Sequence, residues 1–196
     1  MKENAAGESK SPLRIVLAGL LGGLAIGLVI IFGIPGAEPT QRNGILDGSG
    51  QGYSRPLVGQ PAPEFSSITA DGDPISLADY SGQIRLLNFW ATWCGPCEIE
   101  MPYLQDRYTR WRDAGLVILA VNFDESAEVV AAYGRDLNLD FPLILDPGGE
   151  IQQSYLVRGY PTSYLVDRDG AIIDVHVGLL TEQTLDRWLA SVGLED

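Results

Sequence analysis

Residues 88–102 read NFWATWCGPCEIEMP, and the fold turns on how this stretch is read. It holds the only two cysteines of the 196-residue chain, Cys94 and Cys97, between an apolar run and a helical pattern. The run before them, IRLLNFWAT, is flanked by turn residues and predicts a central buried strand. After them, Cys97, Met101, Leu104, Tyr108 and Trp111 recur at spacings of four, three, four and three, which is one face of a helix. That periodicity turns Cys97 inward and leaves Cys94 exposed at the head of the helix.

Three uses of such a pair compete. As a structural staple it closes a very short loop, and chain-entropy stabilisation is smallest there. As a metal site it lacks ligands: there is no third cysteine, His176 is the lone histidine, and thiolate zinc wants about four donors. No metal site is expected. Glu98 rather than histidine follows Cys97, so the pair is not a haem attachment motif. The redox use has positive support. At a helix start, unpaired N–H groups and the positive end of the helix dipole favour thiolate at Cys94. Pro96 suits the first turn because it has no N–H to lose. A mixed disulfide formed on Cys94 could then be resolved by Cys97, one turn away.

Working outward, GQPAPEFSSITADGDPISLADYSG predicts two short strands about the turn Asp71-Gly72-Asp73, then a helical turn near 78–80. Downstream come a strand LVILAVNF, a helix over about 126–137 with Val129, Val130 and Tyr133 on one side, and a strand FPLIL. A short helix near 149–155 follows, then a hairpin of TSYLVD and AIIDVHV, and a last helix begun by Thr181. Alternating strands and helices followed by an antiparallel pair predict an α/β fold, a mixed central sheet with helices on both faces.

Upstream, residues 15–34, IVLAGLLGGLAIGLVIIFGI, are twenty uncharged residues, about the length that spans a bilayer's hydrocarbon core. They predict one transmembrane helix. Lys2, Lys10 and Arg14 in the short flank 1–14 place that flank in the cytoplasm and the rest of the chain outside. A cleaved signal peptide would have a shorter apolar region and an A-x-A-like exit, whereas the exit here is GIPGAEP. Residues 35–58 are rich in glycine, proline and polar groups and read as a flexible linker to a domain at 59–196. That domain carries eight arginines, no lysine and 22 carboxylates, a formal charge of −14, which excludes nucleic acid and anionic lipid as its partners.

WCGPC after an apolar strand, with RGYPT further on, resembles thioredoxin; NFWATWCGPCEIEMP and GQPAPEF resemble the membrane-anchored TlpA/ResA group of extracytoplasmic thioredoxin-like proteins. The resemblance covers the chain from about Val58 to its end. It implies a thioredoxin-like fold with an added strand and helix between AVNFD and FPLIL. It makes Cys94 the nucleophile and Cys97 the resolving thiol, their disulfide being the redox centre and no other cofactor being required. It places a cis peptide at Tyr160-Pro161, and with Trp93, Gly95 and Pro96 these residues would form the substrate-docking surface. Thioredoxin's buried aspartate is replaced by Asn88, which cannot take a proton. The TlpA/ResA pattern supplies instead a glutamate three residues after the second cysteine, here Glu100. That position lies about 60° around the helix from Cys97, at the edge of the buried stripe, whereas Glu98 lies about 100° away and suits solvent.

The resemblance further implies a reductant of extracytoplasmic protein disulfides, for example those of apocytochrome c, recharged by a membrane electron donor of the CcdA/DsbD type. Gly95-Pro96 is the dipeptide of reducing thioredoxins, whose potential is about −270 mV against about −120 mV for the oxidant DsbA. Two other readings share features with the chain. GQPAPEF also resembles the opening of peroxiredoxin peroxidases, which need Pro-x-x-x-Thr/Ser-x-x-Cys; here Leu87 and Ala91 stand at the proline and hydroxyl positions. A Sco-like copper-delivery module uses Cys-x-x-x-Cys with a distant histidine, one residue longer than the spacing here.

Overall fold

The computed structural model describes residues 45–46, 52–53 and 56–195. The predicted membrane helix at 15–34 and the flank at 1–14 lie outside them. Within the predicted linker, β1 (Ile45–Leu46) and β2 (Gly52–Tyr53) form a two-residue antiparallel ladder. β3 (Ser66–Ile68) and β4 (Pro74–Ser76) pair around the Asp71-Gly72-Asp73 turn, where Gly72 takes φ +92°, and lead into a 3₁₀ turn at Leu77–Tyr80. The main run then follows: β5 (Ile84–Trp90), α1 (Gly95–Trp111), β6 (Leu116–Phe123), α2 (Ala127–Asp136), β7 (Leu143–Asp146), α3 (Glu150–Ser154), β8 (Thr162–Val166), β9 (Ile172–Val177) and α4 (Glu182–Ser191).

β5, with all seven residues buried, is the middle strand of a five-stranded sheet ordered β7-β6-β5-β8-β9. β6 and β7 run parallel to it through the α1 and α2 crossovers, and β8 and β9 run antiparallel, so the sheet is mixed. The β8–β9 hairpin closes at Asp167–Gly170: Asp167 accepts the Ala171 N–H at 2.9 Å, and Gly170 adopts φ +92°, which glycine reaches without strain. Before the sheet proper, the chain joins its edge at the predicted domain start. Gly59 N–H donates to the Ile172 carbonyl at 2.8 Å, and Ala62 N–H to that of Gly170 at 2.9 Å.

The alternation of β5 assigns its residues to two cores. Ile84, Leu86 and Trp90 face α1, α2 and α4, where Met101, Leu104, Val130 and Leu185 meet them. Leu87 and Phe89 face the opposite layer, built from the 3₁₀ turn at Leu77, Ile151 of α3 and the ring of Tyr155. Each fully buried large apolar side chain contributes roughly 1.5–3 kcal/mol, so this two-sided burial is what fixes β5 at the centre.

Two expectations are corrected. Only a helix, α2, lies between Asp124 and Phe141; the added strand expected there is absent, because the six residues from Leu137 to Pro142 turn sharply through Asn138 (φ +52°) into β7. On α2 itself Val130 is fully buried but Val129 is 45% exposed. Adjacent residues sit about 100° apart on a helix, and only one of them can point into a core this narrow.

Candidate active site

β5 delivers the chain to the site and α1 carries it away. Cys94 is the N-cap of α1, with an extended backbone (φ −88°, ψ 98°), and its Sγ accepts the Cys97 N–H at 3.3 Å. Its N–H donates to the Ala91 carbonyl at 3.1 Å, and its own carbonyl accepts from the N–H groups of Cys97 and Glu98 at 3.0 and 3.2 Å. Gly95 and Pro96 form the exposed first turn. Cys94 and Cys97 are joined as a disulfide, with Cα atoms 5.2 Å apart. Cys97 is fully buried and Cys94 is 5% exposed, so the expected order holds but Cys94 is far less open than its position at the helix head implied. The reason is local: its sulfur is folded back over the first turn, onto Cys97.

The loop before Cys94 is held from below. Glu125, in the turn after β6, accepts the Thr92 N–H and the Asn122 side-chain N–H at 2.7 Å each, and the Thr92 hydroxyl donates to its other oxygen. Trp93 is 65% exposed, with its ring edge-on to Tyr160 at 5.6 Å. Tyr160 in turn stacks on Phe123 at 5.8 Å, and its hydroxyl bonds Gln152. The Tyr160-Pro161 peptide is cis. The Thr162 hydroxyl to the Gly159 carbonyl (2.8 Å) and Gly178 N–H to the Pro161 carbonyl (2.8 Å) fasten this loop from both sides. Among the described residues, the N–H and C=O of Tyr160 have no backbone partner.

Glu100 is fully buried on α1, one turn beyond Cys97. One carboxylate oxygen accepts the Asn88 side-chain N–H at 2.6 Å, and the other accepts the Leu180 N–H at 2.7 Å. Burial pushes its pKa up from 4.5 to about 7, against the opposing pull of the Leu180 and Asn88 donors. Asn88 gives its second amide hydrogen to the Ser163 hydroxyl at 3.0 Å. An aspartate at position 88 would set two carboxylates in contact; the amide instead donates to the single acid that is present. Glu98 is exposed, as its helical angle predicts.

Trp90 is a core residue, its ring tilted against that of Tyr133 with centroids 4.8 Å apart. Leu87 and Ala91, at the peroxidase positions, are both fully buried. His176 stands on β9 with its Nε2 3.1 Å from the Leu179 carbonyl. Among the described residues, no three His, Cys, Asp or Glu side chains converge as metal ligands would. Glu125, Ser163 and Leu180 went unread in the sequence. Leu180 acts through its backbone and leaves no signature. Ser163, a small polar residue fully buried within the strand TSYLV, is the one that could have been noticed.

Comparison with known proteins places this geometry in context. The AhpC/TSA family model matches residues 58–175. The thiol-disulfide oxidoreductase ResA of Bacillus thuringiensis subsp. konkukian (strain 97-27) is 38% identical over 135 residues, covering 69% of this chain and 78% of that one. The thioredoxin-like protein YneN of Bacillus subtilis (strain 168) is 41% identical over 146 residues, covering 71% and 85%. The crystal structure of a putative thiol:disulfide interchange protein DsbE from Chlorobium tepidum superposes with a TM-score of 0.66 at 30% identity, covering 71% of this chain and 99% of that one.

Proposed function

The chain belongs to the AhpC/TSA family and is a thiol-disulfide oxidoreductase of thioredoxin-like fold, and from that premise we propose that it reduces disulfides in other proteins outside the cytoplasm, tethered by residues 15–34. The observation that carries the reading is the asymmetry of the pair. Cys97 is sealed and Cys94 lies at the rim, at the head of α1, between the exposed Trp93 and the Tyr160-Pro161 loop.

In the reduced protein, the Cys94 thiolate attacks one sulfur of a client disulfide. A bond forms between Cys94 and that sulfur, and the other client sulfur leaves as a thiolate and takes up a proton. Cys97 then gives its proton to Glu100 and attacks Cys94 Sγ, which releases the second client thiol and leaves the Cys94–Cys97 disulfide. Two electrons pass from the dithiol to the client. A carboxylate whose pKa lies near 7 suits that proton transfer at neutral pH. The unpaired backbone of Tyr160 would align an extended client segment as an added strand beside the two sulfurs. A membrane thiol donor of the CcdA/DsbD type would restore the dithiol, and apocytochrome c, whose cysteines must be reduced before haem attachment, is a fitting client.

Trapping tests the reading. Full-length Cys97→Ala protein, made in cells, isolated without reductant and freed of noncovalent partners, should carry client proteins disulfide-bonded to Cys94, and Cys94→Ser should carry none. Equal recovery from the two variants, or none from either, rejects exchange through this pair.

A further inference from the structure

Asn88, Ser163 and His176 form one row across the sheet. Asn88 pairs in register with Ser163, and Ser163 with His176, so all three side chains rise from the same face, the one that α1 and α4 cover. The first two already belong to the hydrogen-bond network of Glu100. The third reaches the same carboxylate by another route. The His176 ring lies 3.1 Å, through Nε2, from the Leu179 carbonyl, and the Leu180 N–H lies 2.7 Å from a Glu100 oxygen. The carbonyl of 179 and the N–H of 180 are the two ends of one peptide group. A carbonyl only accepts, so Nε2 carries the proton, and the chain of donors runs from imidazole through a single peptide to the carboxylate.

We propose that His176 is a positioning residue for Glu100, holding and polarising the Leu179–Leu180 peptide whose N–H binds the Glu100 carboxylate. The peptide sits between β9 and α4, just past Gly178 (φ +98°), with its carbonyl facing the His176 ring and the Leu180 side chain buried in the core. His176 is held on its other side by Trp188 of α4, edge-on at 6.3 Å, whose indole N–H is bound by Asp174 of β9 at 2.8 Å. The peptide is therefore clamped by two elements, β9 and α4. Donors in series strengthen one another by roughly 10–30% per bond, so the ring acts on the acid without touching it.

The inference rests on the reading of Glu100 as the proton acceptor for Cys97, but its test does not. In the oxidised protein neither cysteine titrates. Around Glu100 the remaining titrating groups are Glu98 on its own helix, Tyr133 of α2, whose phenol feels both acids, Glu125 beyond it, and His176 through the peptide; Asn88 and Ser163 bring no charge from β5 and β8. The Glu100 carboxyl carbon is followed by ¹³C NMR in the oxidised full-length protein in detergent micelles, its signal assigned through Glu100→Gln.

Replacing His176→Leu removes the donor, and the Glu100 midpoint should rise by about half a pH unit. Replacing His176→Gln, whose amide N–H can reach the same carbonyl, should return it to the parent value. A midpoint unchanged in the leucine variant, or shifted as far in the glutamine variant, overturns the proposal. If the leucine variant does not fold, the ring nitrogens of the unmutated protein decide: in the neutral ring, a protonated Nε2 supports the clamp and a bare Nε2 overturns it. Failure of the trapping experiment would reject thiol exchange and leave this titration as it stands.

Discussion

Glu100 is an acid placed where acids are expensive. A carboxyl with no solvent exposure is kept neutral unless donors hold its charge, and two do, one from a side chain on β5 and one from a backbone ahead of α4. The balance leaves its pKa at about 7, above the ordinary 4.5. That balance makes its replacement informative. With Glu100→Gln the shape is nearly kept and the titratable proton is lost, one acceptor oxygen giving way to an amide NH2 that faces a donor. Reduction of a protein disulfide such as that of insulin by the full-length protein should slow about 100-fold at pH 8, the usual scale of general acid–base assistance. The parent rate should climb through pH 7 as Glu100 ionises, and the variant should lack that limb. Two superimposable pH–rate profiles would remove Glu100 from the chemistry.

At the scale of elements, period and alternation carried most of the information. The run IRLLNFW before the cysteines, five of its seven residues apolar, reads as a strand covered on both faces, and the stripe from Cys97 to Trp111 as a helix with one side buried. The angle from Cys97 likewise brought Glu100 to the edge of the core. What period does not carry is the width of a core stripe. Val129 and Val130 are equally apolar, yet α2 buries only the second. Nor does it carry partners supplied by backbone, such as Leu180, or capping from a distance, such as Asp146, whose buried carboxylate takes the N–H groups of Ile151 and Gln152 at 2.9 and 3.0 Å to start α3. The difference between the two valines is measurable. Val130→Ala should lower unfolding free energy by roughly 2 kcal/mol through the cavity it leaves, and Val129→Ala should change it by less than about 0.5 kcal/mol. Urea melts of the full-length protein with equal midpoints for the two variants would place the helix in another rotation.

For the molecule as a whole, the same acid makes folding depend on pH. The folded Glu100 pKa, about 7, lies above its ordinary value of 4.5. Below 4.5 the acid is protonated in both states and its contribution is fully present. Between 4.5 and 7 the unfolded chain releases the proton while the folded one keeps it, so stability falls as pH rises, and above 7 about 3 kcal/mol has been lost. Charge elsewhere pushes the same way, since a chain of net charge −13 at pH 7 repels itself more as its carboxylates ionise. The opposite sign comes from Asp186, whose pKa is held low by Arg107 at 2.6 Å in the pair that links α4 to α1. With Asp186 half exposed that contribution is small; it is present through neutral pH and lost only as pH falls below the usual carboxylate range. Stability of the oxidised full-length protein should therefore peak near pH 4–5 rather than at neutrality. The Glu100→Gln variant separates the buried acid from the net charge: its unfolding free energy should fall less steeply, with the gap between variant and parent shifting by about 3 kcal/mol from pH 4.5 to pH 8. Parallel curves for the two proteins would mean that Glu100 ionises in the folded state as freely as in water, and the buried network around Asn88, Leu180 and His176 would then have no electrostatic consequence.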